Sequence, residues 1–480
     1  MPPIIVAILL ILGLVIIHFQ TASAPLERER PLDVDSLPSP WLVHAGTISS
    51  LTALFGAYWA IFLLCGAMAI LGVAVGGVLG LWFLRKTIRA SGALSFEAFL
   101  GSRNLAIEPS SEHLFWLLLA LTQVGFAISE LLILRELVVH AFGISPNDAT
   151  VFAVSLAMVA YFYCLRGGYL AAFRTEMVQF AFALLMCAVI SGSAAIHFGS
   201  SSSSWTTLVS PLRPRVWVFE LPLFSAAVSL VNFLIGACTG GAFFIASPDT
   251  WKRVFIVSRA GESTSSFGAL VVLGTLPFVL LAPAAILLPR PELSGQAFDF
   301  FRFISHNQIT LTCLLLGMSA AFLSAFENAL ITATHVIMLK VRKPQPKNVY
   351  TLSLFHYVMG GTFAVIVVGF MAFMAGLENP YLMGLFLIYS YATVAAATLS
   401  TSGLSRPLSL KPLPGVILLT ALAWFIYIVH FHQILERPVP EQIQAFSVGA
   451  AILVSCVIIL SIVRRFQRRE EDEGASLNAR

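Results

Sequence analysis

Charge is scarce in this chain. Only 11% of its 480 residues are Asp, Glu, Lys or Arg, while 58% are hydrophobic. A soluble domain carries about 25% charged residues, so the composition excludes one and points to an all-α polytopic membrane protein embedded in the lipid bilayer. Paired cysteines are lacking too. The six cysteines (65, 164, 187, 238, 313 and 456) are scattered within or at the edges of apolar stretches. None has ligand spacing, which argues against a disulfide framework or a zinc site. The net charge of +4 is not gathered into a basic stripe interleaved with aromatics, so no nucleic-acid partner is implied. No nucleophile–base pairing, metal cluster or phosphate loop stands out, so the chain does not read as an enzyme and calls for no organic cofactor.

What is present is a series of apolar runs. They predict about thirteen spans, near 4–19, 42–57, 59–84, 113–140, 148–166, 170–196, 221–246, 266–289, 309–340, 352–375, 379–400, 413–430 and 445–464. The segment 41–84 has no Asp, Glu, Lys or Arg throughout and is just long enough for two helices with a tight turn. The first run resembles a signal peptide ending at Ala22-Ser23-Ala24, but no Lys or Arg precedes it, and Arg28 and Arg30 follow. That bias predicts an uncleaved helix with its N-terminus outside. Alternate loops then hold the Lys and Arg clusters: 27–30, 85–103, Arg166 with Arg174, Lys252-Arg253 with Arg259, 340–347, Arg406 with Lys411, and the C-terminal tail. Arg213, Arg215, Arg290 and Arg302 are exceptions on the opposite side. The positive-inside rule therefore predicts a multi-pass protein of the cell membrane with a cytoplasmic C-terminus.

One span carries an acid. In 309–340, Glu327 and Asn328 fall near the middle of an apolar run. A carboxylate at that depth costs roughly 2.5–3.5 kcal/mol or more, which makes it a candidate functional group. Ser324, Glu327 and Asn328 stand at i, i+3 and i+4, with Thr332 four residues on, so helical spacing groups them on one face.

Several stretches resemble one family. Residues 163–179, with Gly167, Gly168, Ala171, Thr175 and Gln179, are similar to the GG-x-x-A-x-x-x-T-D-x-x-Q junction of the sodium/solute symporter family, with Glu176 in place of Asp. The glycine pair suits a tight cytoplasmic turn between two spans. Ser95 to Leu100 with Arg103 resembles T-x-P-E-F-L-x-x-R. Ser247 to Arg253 resembles the Q-D-x-x-Q-R segment, with Lys252 departing from Gln. Ala320 to Leu330 resembles A-A-x-M-S-T-x-D-S-x-L, and Leu37 to Trp41 is similar to the L-P-W-W entry into the first core helix. These matches occur in family order across 37–345.

The resemblance implies a LeuT-type fold of two inverted five-helix repeats. On that reading, 1–35 is an N-terminal membrane helix and cytoplasmic linker, 36–197 the first repeat, and 198–220 an external loop. The second repeat is 221–402, followed by two peripheral helices in 403–464 and a cytoplasmic tail, 465–480. The first helix of each repeat is expected to break near the midplane, at 45–50 and 236–241. A sodium ion would be held by carbonyls near Ser49, Thr52 and Ala321 and by the Ser324 hydroxyl. The second family hydroxyl falls on Ala325, which has none, so Ser49, Ser50, Thr52 or Glu327 would have to substitute. Candidate substrate contacts are Ser50, Asn232, Phe243, Phe244 and Asn328, with Thr175, Glu176 and Gln179 in support. Glu176 has two readings, an acid beside the ion path or a cap at the start of its helix. Arg135 has Glu130 and Glu136 as possible partners, inside the bundle or at the outer interface. His335 and His356 read as packing or interfacial residues.

The function implied is secondary active transport: sodium-coupled symport of a small polar solute by alternating access. The alternative is a proton-coupled protein, or a sensor or scaffold on the same fold with a degraded sodium site. Ala325 and Lys252 motivate that alternative.

Overall fold

The computed structural model describes residues 67–91, 109–198, 240–259, 308–341 and 352–376, with a few positions in 230–237 and 276–281. The expected spans at either end of the chain, the break at 45–50, and Ser49, Ser50, Thr52 and Asn232 lie outside the described residues.

Six helices are described: α1 (Ala67–Ser91), α2 (Pro109–Phe142), α3 (Pro146–Phe198), α4 (Pro248–Arg259), α5 (Gln308–Val341) and α6 (Leu352–Gly376). Three of them open on proline, whose missing N–H would have no partner in a first helical turn anyway. Within them lie five stretches long and apolar enough to cross a bilayer: Trp116–Phe142, Pro146–Leu165, Val178–Ile196, Gln308–Met338 and Phe355–Ala375. The protein is an all-α, multi-pass membrane protein.

The connection from α2 to α3 shows how local chemistry positions these helices. Gly143 takes φ +62°, the left-handed conformation that ends a helix, and its N–H donates to the Val139 carbonyl at 2.9 Å. Two residues later Ser145 caps α3. Its Oγ accepts from the Asp148 N–H at 3.2 Å and donates to Asp148 Oδ2 at 2.6 Å. Arg135 ties the pair together by donating from Nε to Thr150 Oγ1 at 3.1 Å while pairing with Glu136. Of the two acids considered for Arg135, Glu136 is thus the one it meets, beside this turn.

The junction expected to be a glycine turn is different. Helical backbone runs unbroken from Pro146 to Phe198, through Gly167 and Gly168. Fifty-three residues at 1.5 Å each would reach about 80 Å if straight, so this helix contains two separate crossing-length stretches. Glu176 consequently lies within a helix, not at its start.

The helices pack in two groups. In the first, α5 lies among α2, α3 and α6. Gly317 of α5 meets the Phe182 carbonyl and Met186 of α3 so closely that no Cβ fits. Phe326 of α5 sits edge-on to Phe363 of α6 at 6.3 Å, and Tyr161 of α3 stacks on the same ring at 4.7 Å. In the second group, α1 packs against the helical residues 240–246 and against α4. Gly76 abuts Ala237, and Gly240 abuts Val73, backbone against backbone. Such small-residue contacts are how membrane helices gain van der Waals packing without a hydrophobic drive.

Of the expected break at 236–241, Cys238 and Thr239 lie outside the described residues. Gly236, Ala237, Gly240 and Gly241 are helical, and the interruption falls at Ser247, before Pro248. Proline disfavours helical backbone in the residue that precedes it. Ser247 instead caps α4, its carbonyl accepting from the Trp251 N–H at 3.2 Å. The Trp251 indole N–H reaches back across the interruption to the Ile245 carbonyl at 2.8 Å.

Candidate functional site

The most polar buried ground lies where α3, α4 and α5 meet. Asp249 and Arg253 are four residues apart on α4, and Arg253 Nε donates to Asp249 Oδ2 at 2.7 Å. The outer edge of the guanidinium faces Glu176 of α3. Nη1 donates to Glu176 Oε2 at 2.6 Å, and Nη2 pairs with Glu176 Oε1. Both Arg253 and Glu176 are 0% exposed. Asn328 of α5 completes the cluster, donating from Nδ2 to Glu176 Oε1 at 2.7 Å and to the Ser324 carbonyl at 2.7 Å.

This is a forked arginine–carboxylate pair, the strongest geometry available to those groups. Burial works against the Arg253 charge, but Asp249 and Glu176 outweigh it and raise its pKa above the ordinary arginine range. Two carboxylates against one guanidinium leave these three residues with one net negative charge when all are ionised. Arg253 reads in the sequence as a cytoplasmic loop charge; the fold instead buries it completely.

Among the described residues, several acceptors at or near this cluster have no hydrogen-bond partner: Asp249 Oδ1, Asn328 Oδ1, Gln179 Oε1 and both oxygens of Glu327. Gln179 is three residues beyond Glu176 on α3 and is buried. Oxygen acceptors of this kind suit a hard cation, a proton or water; among the described residues there is no group of three His, Cys, Asp or Glu.

The candidate residues divide as follows. Ser324, Asn328 and Glu176 come together, and Ala321 lies buried one turn before Ser324. Glu327 is 0% exposed, yet its carboxylate stands outside this hydrogen-bond network. The reason is angular: consecutive helical residues point about 100° apart, so Asn328 and Glu327 cannot both face Glu176. Thr175 turns its hydroxyl back onto the Ala172 carbonyl at 2.9 Å. Phe243 meets Phe126 of α2 at 6.2 Å and Phe244 edge-on at 5.7 Å, while Phe244 lies over Gly77 of α1. Asp249 and Arg253 entered the sequence reading within the Q-D-x-x-Q-R resemblance and a basic cluster, not as site residues. Their i, i+4 spacing just after Ser247-Pro248 is a helix-start signal, but nothing local announces a partner 77 residues away.

No protein-family profile matches the chain, and no curated protein does. Solved structures do match in fold. The substrate-bound, outward-open form of a Na+-coupled sialic acid symporter superposes with a TM-score of 0.66 at 13% identity, covering 96% of this chain and 98% of that one. Two mutant forms of the manganese transporter of Eremococcus coleocola align over 89% of this chain and 94% of theirs, at 15% and 14% identity, with TM-scores of 0.43 and 0.44. The agreement with the symporter extends over nearly the whole length of both chains, and the protein accordingly shares the all-α, multi-pass membrane fold of that symporter.

Proposed function

We propose that the protein is a secondary active transporter that carries a small polar solute in symport with sodium. The single observation that supports this most is the end-to-end fold agreement with a Na+-coupled symporter at a TM-score of 0.66. In this reading 36–197 and 221–402 are inverted repeats, the N-terminus is external, and the two helix groups rock about a midplane site. Sodium lies against Ser49, Thr52, Ala321 and Ser324. The solute meets Ser50, Asn232, Asn328 and the Phe243–Phe244 pair. Symport needs the two ligands to bias one conformational equilibrium, with no chemical step.

A specific observation favours a second reading, proton coupling through Glu327. A fully buried carboxylate with neither oxygen hydrogen-bonded among the described residues is costly when charged. Binding a proton, or a cation brought close by motion, removes that cost.

Purified protein in proteoliposomes, given imposed sodium or proton gradients and a panel of sugars, amino acids and sialic acid, separates the readings. Sodium-driven uptake that survives Glu327→Gln supports sodium symport. Uptake indifferent to sodium and abolished by Glu327→Gln overturns it in favour of protons. No uptake of any solute by a folded protein sinks both and favours a sensor or scaffold.

A further inference from the structure

We propose that Arg253 and Glu176 form a latch that holds the cytoplasmic side of the transport path shut; this rests on the alternating-access reading above. The pair does not lie within one packed group. Arg253 is on α4, which packs mainly on α1 and only at its edge on α5, whereas Glu176 is on α3, which packs with α2, α5 and α6. Any rocking of one group against the other must carry the guanidinium away from the carboxylate. Both charges are completely out of water. Separating them in a dry interior strands two buried charges, so the pair parts only as water enters between α3 and α4. Opening and wetting are therefore one event, which gives the junction two discrete states.

The hydrogen bonding is built for this. Glu176 accepts from both guanidinium nitrogens and from Asn328, and Asn328 Nδ2 is shared with the Ser324 carbonyl. The latch thus reaches the face of α5 that carries the candidate ion ligands. The helix is interrupted at Ser247, so the chain can bend there as the groups part, while the Ser247 cap keeps the first turn of α4 intact and the Trp251–Ile245 hydrogen bond ties it to the residues before it. Charge distribution sets the side. Arg166, Arg174 and Arg259 flank the junction in sequence, and all belong to the basic segments that the positive-inside rule assigns to the cytoplasm.

Ala172 offers a reporter. It is one turn before Glu176 on α3 and 0% exposed. With the native cysteines replaced in the full-length protein, Ala172→Cys is probed in inside-out vesicles by a membrane-impermeant maleimide, with neither sodium nor solute present. Slow labelling is expected while the latch is intact. Removing both charges together, Glu176→Gln with Arg253→Gln, is expected to speed labelling roughly tenfold. Arg253→Lys, which keeps the charge but loses the fork, and Asn328→Ala are expected to give smaller accelerations. An unchanged rate in the double variant overturns the latch, as does equal acceleration from the opposite face of the membrane, which would mean general loosening. If the double variant does not fold, Arg253→Lys and Asn328→Ala decide alone, and no change in either overturns it. Failure of the symport reading would appear only in the uptake assay.

Discussion

At the scale of single residues, Ala325 carries a sharp consequence. It is 4% exposed and adjoins Ser324, which is completely buried. A serine placed there would bring a hydroxyl into a dry site. Without a partner that hydroxyl costs about 1–3 kcal/mol. If sodium binds against Ser324 as proposed, that hydroxyl supplies the missing ligand, and ligand binding raises stability by mass action. Ala325→Ser is therefore expected to melt lower than the parent without sodium, and to show a larger sodium-induced rise in Tm. A penalty that is the same with and without sodium would place the ion elsewhere. Residue-level legibility was uneven for a physical reason. Glu327 and Asn328 stood out because polar groups in an apolar run are expensive. The Glu176–Arg253 pair did not, because a charge beside a loop looks the same in sequence whether it ends in water or is buried by packing.

At the scale of elements, close packing between α3 and α5 makes a testable demand. A Cβ at Gly317 would overlap both the Phe182 carbonyl and the Met186 side chain. The carbonyl belongs to a helix backbone and cannot step aside. Gly317→Val should force the helices apart, at the upper end of or beyond the about 1–3 kcal/mol typical of overpacking. The expected readout is a markedly lower Tm and a poor yield of monodisperse protein in detergent. Gly192 on α3 has open space around its Cβ position, and Gly192→Ala should leave both unchanged. Among the described residues, helices were legible where apolar runs of crossing length were separated by a short polar stretch, as between the expected spans 113–140 and 148–166. Continuity was not. Gly167-Gly168 has the composition of a turn yet is helical, and the small-residue run 236–241 is helical at each of its described positions while Pro248 sets the interruption.

At the scale of the whole molecule, the class of fold was readable because composition and ordered motifs act over hundreds of residues. The seam between the two helix groups was not, since it is set by pairs such as Arg253–Glu176 and Phe126–Phe243 that come together only in three dimensions. Orientation in the membrane bears on that seam directly. The α2–α3 turn has no Lys or Arg between Phe142 and Thr150, whereas the end of α5 and the segment after it carry Lys340, Arg342, Lys343 and Lys347. By the positive-inside rule the first is expected to face out and the second the cytoplasm. Ser145 is exposed in its turn, so in a cysteine-free background Ser145→Cys should react with an impermeant maleimide added to intact cells, and Lys347→Cys only after permeabilisation. The reverse pattern would invert the molecule. The Arg253–Glu176 junction would then close the external side of the path, and vesicles of the opposite orientation would be needed to see it open.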